Sequence, residues 1–280
     1  MIWIKLPVQY RTLVFMLVLG LVNFTSSPTP VSAQPAKPAN DLSGLVNFEL
    51  PPAPDTGAPD KTGQTGSRGE CQSVKSVDTP LTALVPISKT SSGDEVVWGL
   101  TSAEYPTFWF YVPYSLTGKL SGELRLTEQD EKGNRIYKPI KVTGTAPGII
   151  GVRLPSTEAS LKIGKVYTYD FVVRCDLNDS SKNIYVTASV ERRTPSPSLE
   201  SQLRKATQRE RAALYAKEGF WYESLTTLAE LRRANPNDAG LTADWGALLD
   251  ATLLKADYLN KIKQEPIVPL NQIKQEPIVP

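Results

Sequence analysis

Leu161-Lys162-Ile163-Gly164-Lys165-Val166-Tyr167-Thr168-Tyr169-Asp170-Phe171-Val172-Val173-Arg174-Cys175 carries the period on which the fold class turns. Tyr167, Tyr169, Phe171, Val173 and Cys175 share one face of an extended chain, and Thr168, Asp170 and Arg174 share the other. Successive strand side chains point to opposite sides of a sheet, so this alternation predicts a half-buried strand. Just before it, Leu161, Gly164 and Tyr167 have the L-x-x-G-x-x-Y shape of a tyrosine corner. In that corner the phenol bonds back to the backbone where the chain passes between two sheets.

Working outward, the same period recurs. Leu120, Leu124 and Leu126 alternate with Ser121, Glu123 and Arg125; Ile136, Ile140 and Val142 follow a polar turn, with Pro139 marking an edge or bulge. Ile150, Val152 and Leu154 form a further set, and Ile184, Val186, Ala188 and Val190 alternate with Tyr185, Thr187, Ser189 and Glu191. With Leu81–Ile87 and Thr107–Val112 this makes about seven short strands, which predicts a β-sandwich of immunoglobulin or fibronectin III-like kind over residues 79–193.

Thr194-Pro195-Ser196-Pro197-Ser198 is a hinge, and beyond it the period changes to 3.6. Leu199 and Leu203 stripe a short helix, Thr207-Gln208-Arg209-Glu210 is a capping box opening another, and Trp221, Leu225, Leu228 and Leu231 stripe a third. Leu241, Trp245, Leu248, Leu249 and Leu253 stripe the last, giving a small helical domain over residues 198–256. Tyr215, Gly219, Trp221, Leu228 and Pro236 fall where a tetratricopeptide unit places its aromatic, turn glycine, aromatic, large apolar residue and closing proline. Ser224 and Leu231 stand where that repeat prefers alanine, and one tetratricopeptide-like hairpin cannot form a free-standing solenoid. Residues 257–280 read as an extended tail, because Ile262-Lys263-Gln264-Glu265-Pro266-Ile267-Val268-Pro269 returns unchanged at 273–280 and its prolines oppose regular structure.

The N-terminal end sets the compartment. Lys5 and Arg11 precede an apolar run from Leu13 to Val22, and Val31-Ser32-Ala33 supplies small residues for signal peptidase, so residues 1–33 read as a cleavable signal peptide. The run is shorter than the roughly 20 residues that a permanent span needs, and no membrane span is expected after cleavage. The expected location is the periplasm or cell surface. Residues 34–78, rich in Pro and Gly, read as an extended mobile linker. Cleavage leaves 247 residues with as many acidic as basic side chains, which gives no electrostatic footprint for nucleic acid. In an oxidising compartment, Cys71 and Cys175 are expected to form one disulfide.

Chemistry is sparse. The chain has no histidine, which removes Ser-His-Asp and Cys-His catalysis and the common zinc sites. No G-x-S-x-G elbow, P-loop or G-x-G-x-x-G motif is present, so no catalytic residue, cofactor or metal is expected; Asp176–Ser180 lacks the later ligands of a calcium loop. The run Tyr105-Pro106-Thr107-Phe108-Trp109-Phe110-Tyr111-Val112-Pro113 puts Phe108 and Phe110 on one strand face and Trp109 and Tyr111 on the other. The second face is either covered or forms an aromatic platform for sugar rings, and cover is expected for so large an apolar patch.

Several strings together resemble a cyanobacterial exported family known as domain of unknown function 928. They are Leu81-Thr82-Ala83-Leu84-Val85-Pro86, Gly99-Leu100-Thr101, the aromatic run from Tyr105 to Pro113, Val152-Arg153-Leu154-Pro155, Ala212-Ala213-Leu214-Tyr215, Trp221-Tyr222 and residues 225–238. The resemblance implies export and a cyanobacterial source and brings no catalytic residues with it. The resulting expectation is a non-catalytic envelope module that binds a protein partner around Trp221 and Tyr222. The alternative is envelope-glycan binding on Trp109 and Tyr111, and a carboxylate-dependent hydrolase comes third.

Overall fold

The computed structural model describes residues 46–55, 58–59, 71, 77–128, 137–144, 146–176 and 178–278, which lie within one compact unit spanning Asp41–Pro280. The signal-like segment 1–33, most of residues 34–70, Ile136 and Leu177 lie outside the described residues.

The strands before the hinge are β1 (Thr82–Ala83), β2 (Ile87–Lys89), β3 (Glu95–Thr101), β4 (Thr107–Val112), β5 (Ser121–Glu128), β6 (Ile140–Gly144), β7 (Gly148–Arg153), β8 (Val166–Arg174) and β9 (Ile184–Arg192). Five helices follow: α1 (Pro197–Leu203), α2 (Gln208–Lys217), α3 (Trp221–Ala234), α4 (Ala239–Asp250) and α5 (Ala256–Gln264), with a final strand β10 (Ile273–Pro277). The large sheet runs β10-β6-β5-β8-β9-β3-β2 and the small one β1-β4-β7. All pairings are antiparallel except β3 with β9, which places Trp98 beside Ser189.

The alternation at β8 aims its apolar face at the small sheet. Phe110 of β4 stacks on Phe171 with ring centroids 4.4 Å apart, and Phe108 lies 4.3 Å from Tyr169. Such pairs add about 0.5–1.5 kcal/mol each beyond the area they bury. At the corner before β8, the Lys162 N–H donates to the Tyr167 hydroxyl at 3.0 Å. Cys71 and Cys175 are disulfide-bonded, with Cα atoms 5.4 Å apart.

Three features depart from the sequence reading. β3 escaped the period-two reading because almost all of it is buried. Val97 faces the main core, while Val96, Trp98 and Leu100 pack with Leu199 and Leu203 of α1. A strand covered on both sides shows no alternation.

The second departure is the linker. Where it is described, it is docked: Phe48 meets Trp221 edge to face at 5.0 Å, Glu49 N–H donates to the Ala216 carbonyl, and Ala53 N–H to that of Lys89. Burial of Val46 and cover of Trp221 reward ordering that composition alone disfavours.

The third is the tail. Residues 257–280 are not simply extended: α5 occupies Ala256–Gln264, and the second octapeptide forms β10 at the edge of the large sheet. Pro266 follows the helix rather than interrupting it, and Pro277 ends the strand.

Candidate functional site

Helix α3 is where sheets and helices meet. It rests on β3 at Gly99, where a Cβ would come within 3.2 Å of both Trp221 Cβ and the Tyr222 ring. The absence of a side chain there is what lets the helix approach. Trp221 is fully buried and its Nε1–H donates to the Leu84 carbonyl at 2.8 Å. The Tyr222 hydroxyl donates to the Ser189 carbonyl at 3.1 Å and so accepts from Tyr169. Burial pushes the Tyr222 phenol well above its ordinary range.

The expectation that Trp221 and Tyr222 present a partner surface is therefore corrected: both rings are core, anchoring α3 to the sheets. Trp109 and Tyr111 are buried as well, which removes the exposed aromatic platform. Trp109 Nε1–H donates to Thr226 Oγ1 of α3 at 3.0 Å. Burial first, then the charge of Glu265, raises the Tyr111 phenol to about 12. The acids of Asp176–Ser180 serve a turn: Asp176 accepts from the Asn178 N–H, Asp179 from the Ser181 N–H, and both pair with Lys182. Among the described residues no cluster of three metal-ligating side chains occurs.

The next residue along α3 is different. Glu223 stands in the first turn of the helix, whose N-cap residue Phe220 makes no side-chain cap. Its carboxylate reaches across to the end of β3. There Oε1 accepts from Thr101 Oγ1 at 2.7 Å, Ser102 N–H at 2.7 Å, Ser102 Oγ at 3.0 Å and Ala103 N–H at 2.9 Å. Arg192 of β9 holds that loop in place through the Ser102 and Leu161 carbonyls and Glu104. The second oxygen, Oε2, is shut from solvent and has no hydrogen-bond partner among the described residues. Burial raises the Glu223 carboxyl above its usual range, against the lowering effect of the donors on Oε1.

Glu223 lines a cleft of about 250 Å³ between the β3–β4 loop and the α2–α3 hairpin. Tyr105, Arg153, Gln208, Arg211, Tyr215 and Glu230 share its walls. The cleft thus joins an under-satisfied buried acid to two guanidinium groups and two phenols. Such a lining suits a polar ligand that can both donate to a carboxyl oxygen and accept from arginine. Sequence reasoning missed this acid because a glutamate in the first turn of a helix is ordinary. Its partners lie 120 to 122 residues earlier in the chain.

Residues 63–267 match the family described as Domain of Unknown Function (DUF928), and the chain belongs to that family. No curated protein and no solved structure matches the chain.

Proposed function

We propose that this DUF928 protein is a non-catalytic interaction module of the cell envelope that holds a partner protein at the Glu223 cleft. The observation that carries the reading is Glu223 Oε2, a buried acceptor with no donor among the described residues, beside a cleft of about 250 Å³. Buried polar groups in native proteins nearly always have partners, so an orphan bordering a cleft calls for a donor from outside. Because Oε2 is shut from solvent, the Glu223 side chain would shift to bring it to an amide, hydroxyl or ammonium of a bound segment, with Arg153 and Arg211 on the same walls for that segment's carbonyl or carboxylate groups.

The non-catalytic part draws on the acids present. Glu230, the other acid of the cleft, lies seven residues further along α3. That is about 10 Å of helix rise between their backbones, and the chain has no histidine to serve as a general base beside them. Export to the periplasm or cell surface of a cyanobacterium draws on the signal-like residues 1–33, the disulfide and the resemblance noted above. No helix among the described residues is long and apolar enough to cross a membrane.

The finer architecture belongs to the same proposal. An immunoglobulin or fibronectin III-like sandwich is supported by the Lys162–Tyr167 hydrogen bond and the face-to-face aromatic packing. A tetratricopeptide-like α2–α3 pair is supported by Gly219 at φ +76 and by Ser224 Oγ donating to the Ala212 carbonyl.

The test is photocrosslinking in the native envelope with a reactive residue at exposed position 230. A discrete crosslinked protein that Glu223→Gln reduces several-fold supports the cleft. Products indifferent to Glu223→Gln would remove it as the partner site.

A further inference from the structure

The tail presents one octapeptide in two structures. In the first copy, Ile262-Lys263-Gln264 ends α5 and Ile267-Val268 is buried along the free edge of β7. There Ile149 N–H donates to the Pro266 carbonyl and Val268 N–H donates to the Ile149 carbonyl, both at 2.9 Å. In the second copy, Ile273–Pro277 pairs antiparallel with β6, Gln275 opposite Val142 and Glu276 opposite Lys141.

The side chain of Gln275 also reaches the other sheet. Its Oε1 accepts from Arg153 N–H at 3.1 Å and its Nε2 donates to the Gly151 carbonyl at 2.9 Å. One carboxamide thereby supplies the donor and acceptor that a neighbouring peptide group would offer β7. Two copies of one sequence thereby lie along one edge of each sheet.

The second copy is lightly held. Its link, residues 269–272, is wholly exposed and borders a hollow of about 620 Å³. Along β10, Lys274, Glu276 and Pro277 are exposed, and Lys274 pairs with Glu276 of its own strand rather than with β6. Its attachment is therefore main-chain pairing, Gln275 and the half-buried Ile273 at the core margin, the kind of element that opens locally at low cost. The family match ends at residue 267, so this strand lies outside the matched residues.

We infer that the β6 edge is a strand-acceptor site and that its exchange partner is the tail of a second copy of this chain, giving a tail-swapped dimer. Every bond made by β10 is available unchanged from an identical tail, so exchange rearranges only the 269–272 link and is governed by concentration. Gly144 gates the site: a Cβ there would lie 2.9 Å from the Gln272 carbonyl oxygen of the incoming chain.

The experiment uses full-length oxidised protein in two populations, one carrying Lys141→Cys and the other Glu276→Cys. Because the two positions pair across β6 and β10, a 141–276 crosslink between populations requires the tail of one chain to lie on another. A covalent heterodimer is expected after co-incubation at high concentration. Adding Gly144→Val to the Lys141→Cys chain should reduce it about tenfold through the clash with the incoming strand. Excess synthetic peptide corresponding to residues 270–280 should suppress it in unmodified backbones, a readout that does not depend on folding of the valine variant. Heterodimer no more abundant than with Gly144→Val, or unaffected by the peptide, overturns the proposal.

Discussion

Tyr222 of α3 and Tyr169 of β8 meet hydroxyl to hydroxyl at 3.1 Å, both rings buried, where helix and sheet share a core. Since Tyr222 donates onward to the Ser189 carbonyl at 3.1 Å, the two phenols form a directed chain across the helix–sheet joint. Tyr222→Phe keeps the ring and deletes the relay. It should lower stability by about 1–3 kcal/mol, the cost of stranding buried polar groups. Urea denaturation should show a lower midpoint with an unchanged slope; an unchanged midpoint would show that the relay contributes nothing.

Glu223 predicts a pH effect of definite sign. Its folded pKa is raised above the ordinary value of 4.5, so the native state binds this proton more tightly than the unfolded chain. The contribution to stability is full below the unfolded pKa and is lost as pH rises through the folded one. Melting temperature of the wild type should therefore fall across that window more than that of Glu223→Gln, whose side chain does not titrate. Parallel curves for the two proteins would contradict the raised pKa.

The Cys71–Cys175 bridge closes a separation of 104 residues. Removing a crosslink of that span should cost about 2–5 kcal/mol, chiefly by freeing the unfolded chain. Reductant should lower the denaturation midpoint of the wild type and leave a Cys71→Ala/Cys175→Ala double variant unmoved. Equal sensitivity of both proteins would show that the bridge is not the cause.

Gly99 is predicted to resist enlargement. Its missing side chain lets α3 lie on β3, with both Trp221 and Tyr222 at 3.2 Å from where a Cβ would sit. Gly99→Val should cost about 1–3 kcal/mol by overpacking. It should also shift the near-ultraviolet circular dichroism of the buried Trp221 and Tyr222. A variant as stable as wild type with an unaltered aromatic spectrum would mean that the joint has slack.

How far the sequence reached can be seen element by element. β8 and β9 were legible because one face is core and the other is not, so burial is written as alternation. β3 was illegible because α1 covers its second face, erasing the period. The cover over Trp109 was anticipated, yet its source, Thr226 of α3, is 117 residues away and leaves no local trace. Glu223 looked like any acid at a helix start until folding set it against Thr101, Ser102 and Ala103.

The lack of histidine and the pairing of Cys71 with Cys175 followed from the sequence alone, as did the switch of period at the hinge. These depend on composition and on neighbours within a few residues. Tertiary structure alone decided which aromatic rings were buried, which acid was left under-satisfied, and what the octapeptide became. Ile262-Lys263-Gln264 and Ile273-Lys274-Gln275 are the same three residues, one set closing a helix and the other pairing in a sheet. Local propensity is identical in the two places, so the difference comes from the surroundings. α5 gives the first copy a helix to finish, and the open edge of β6 gives the second a ladder of unpaired backbone groups to satisfy.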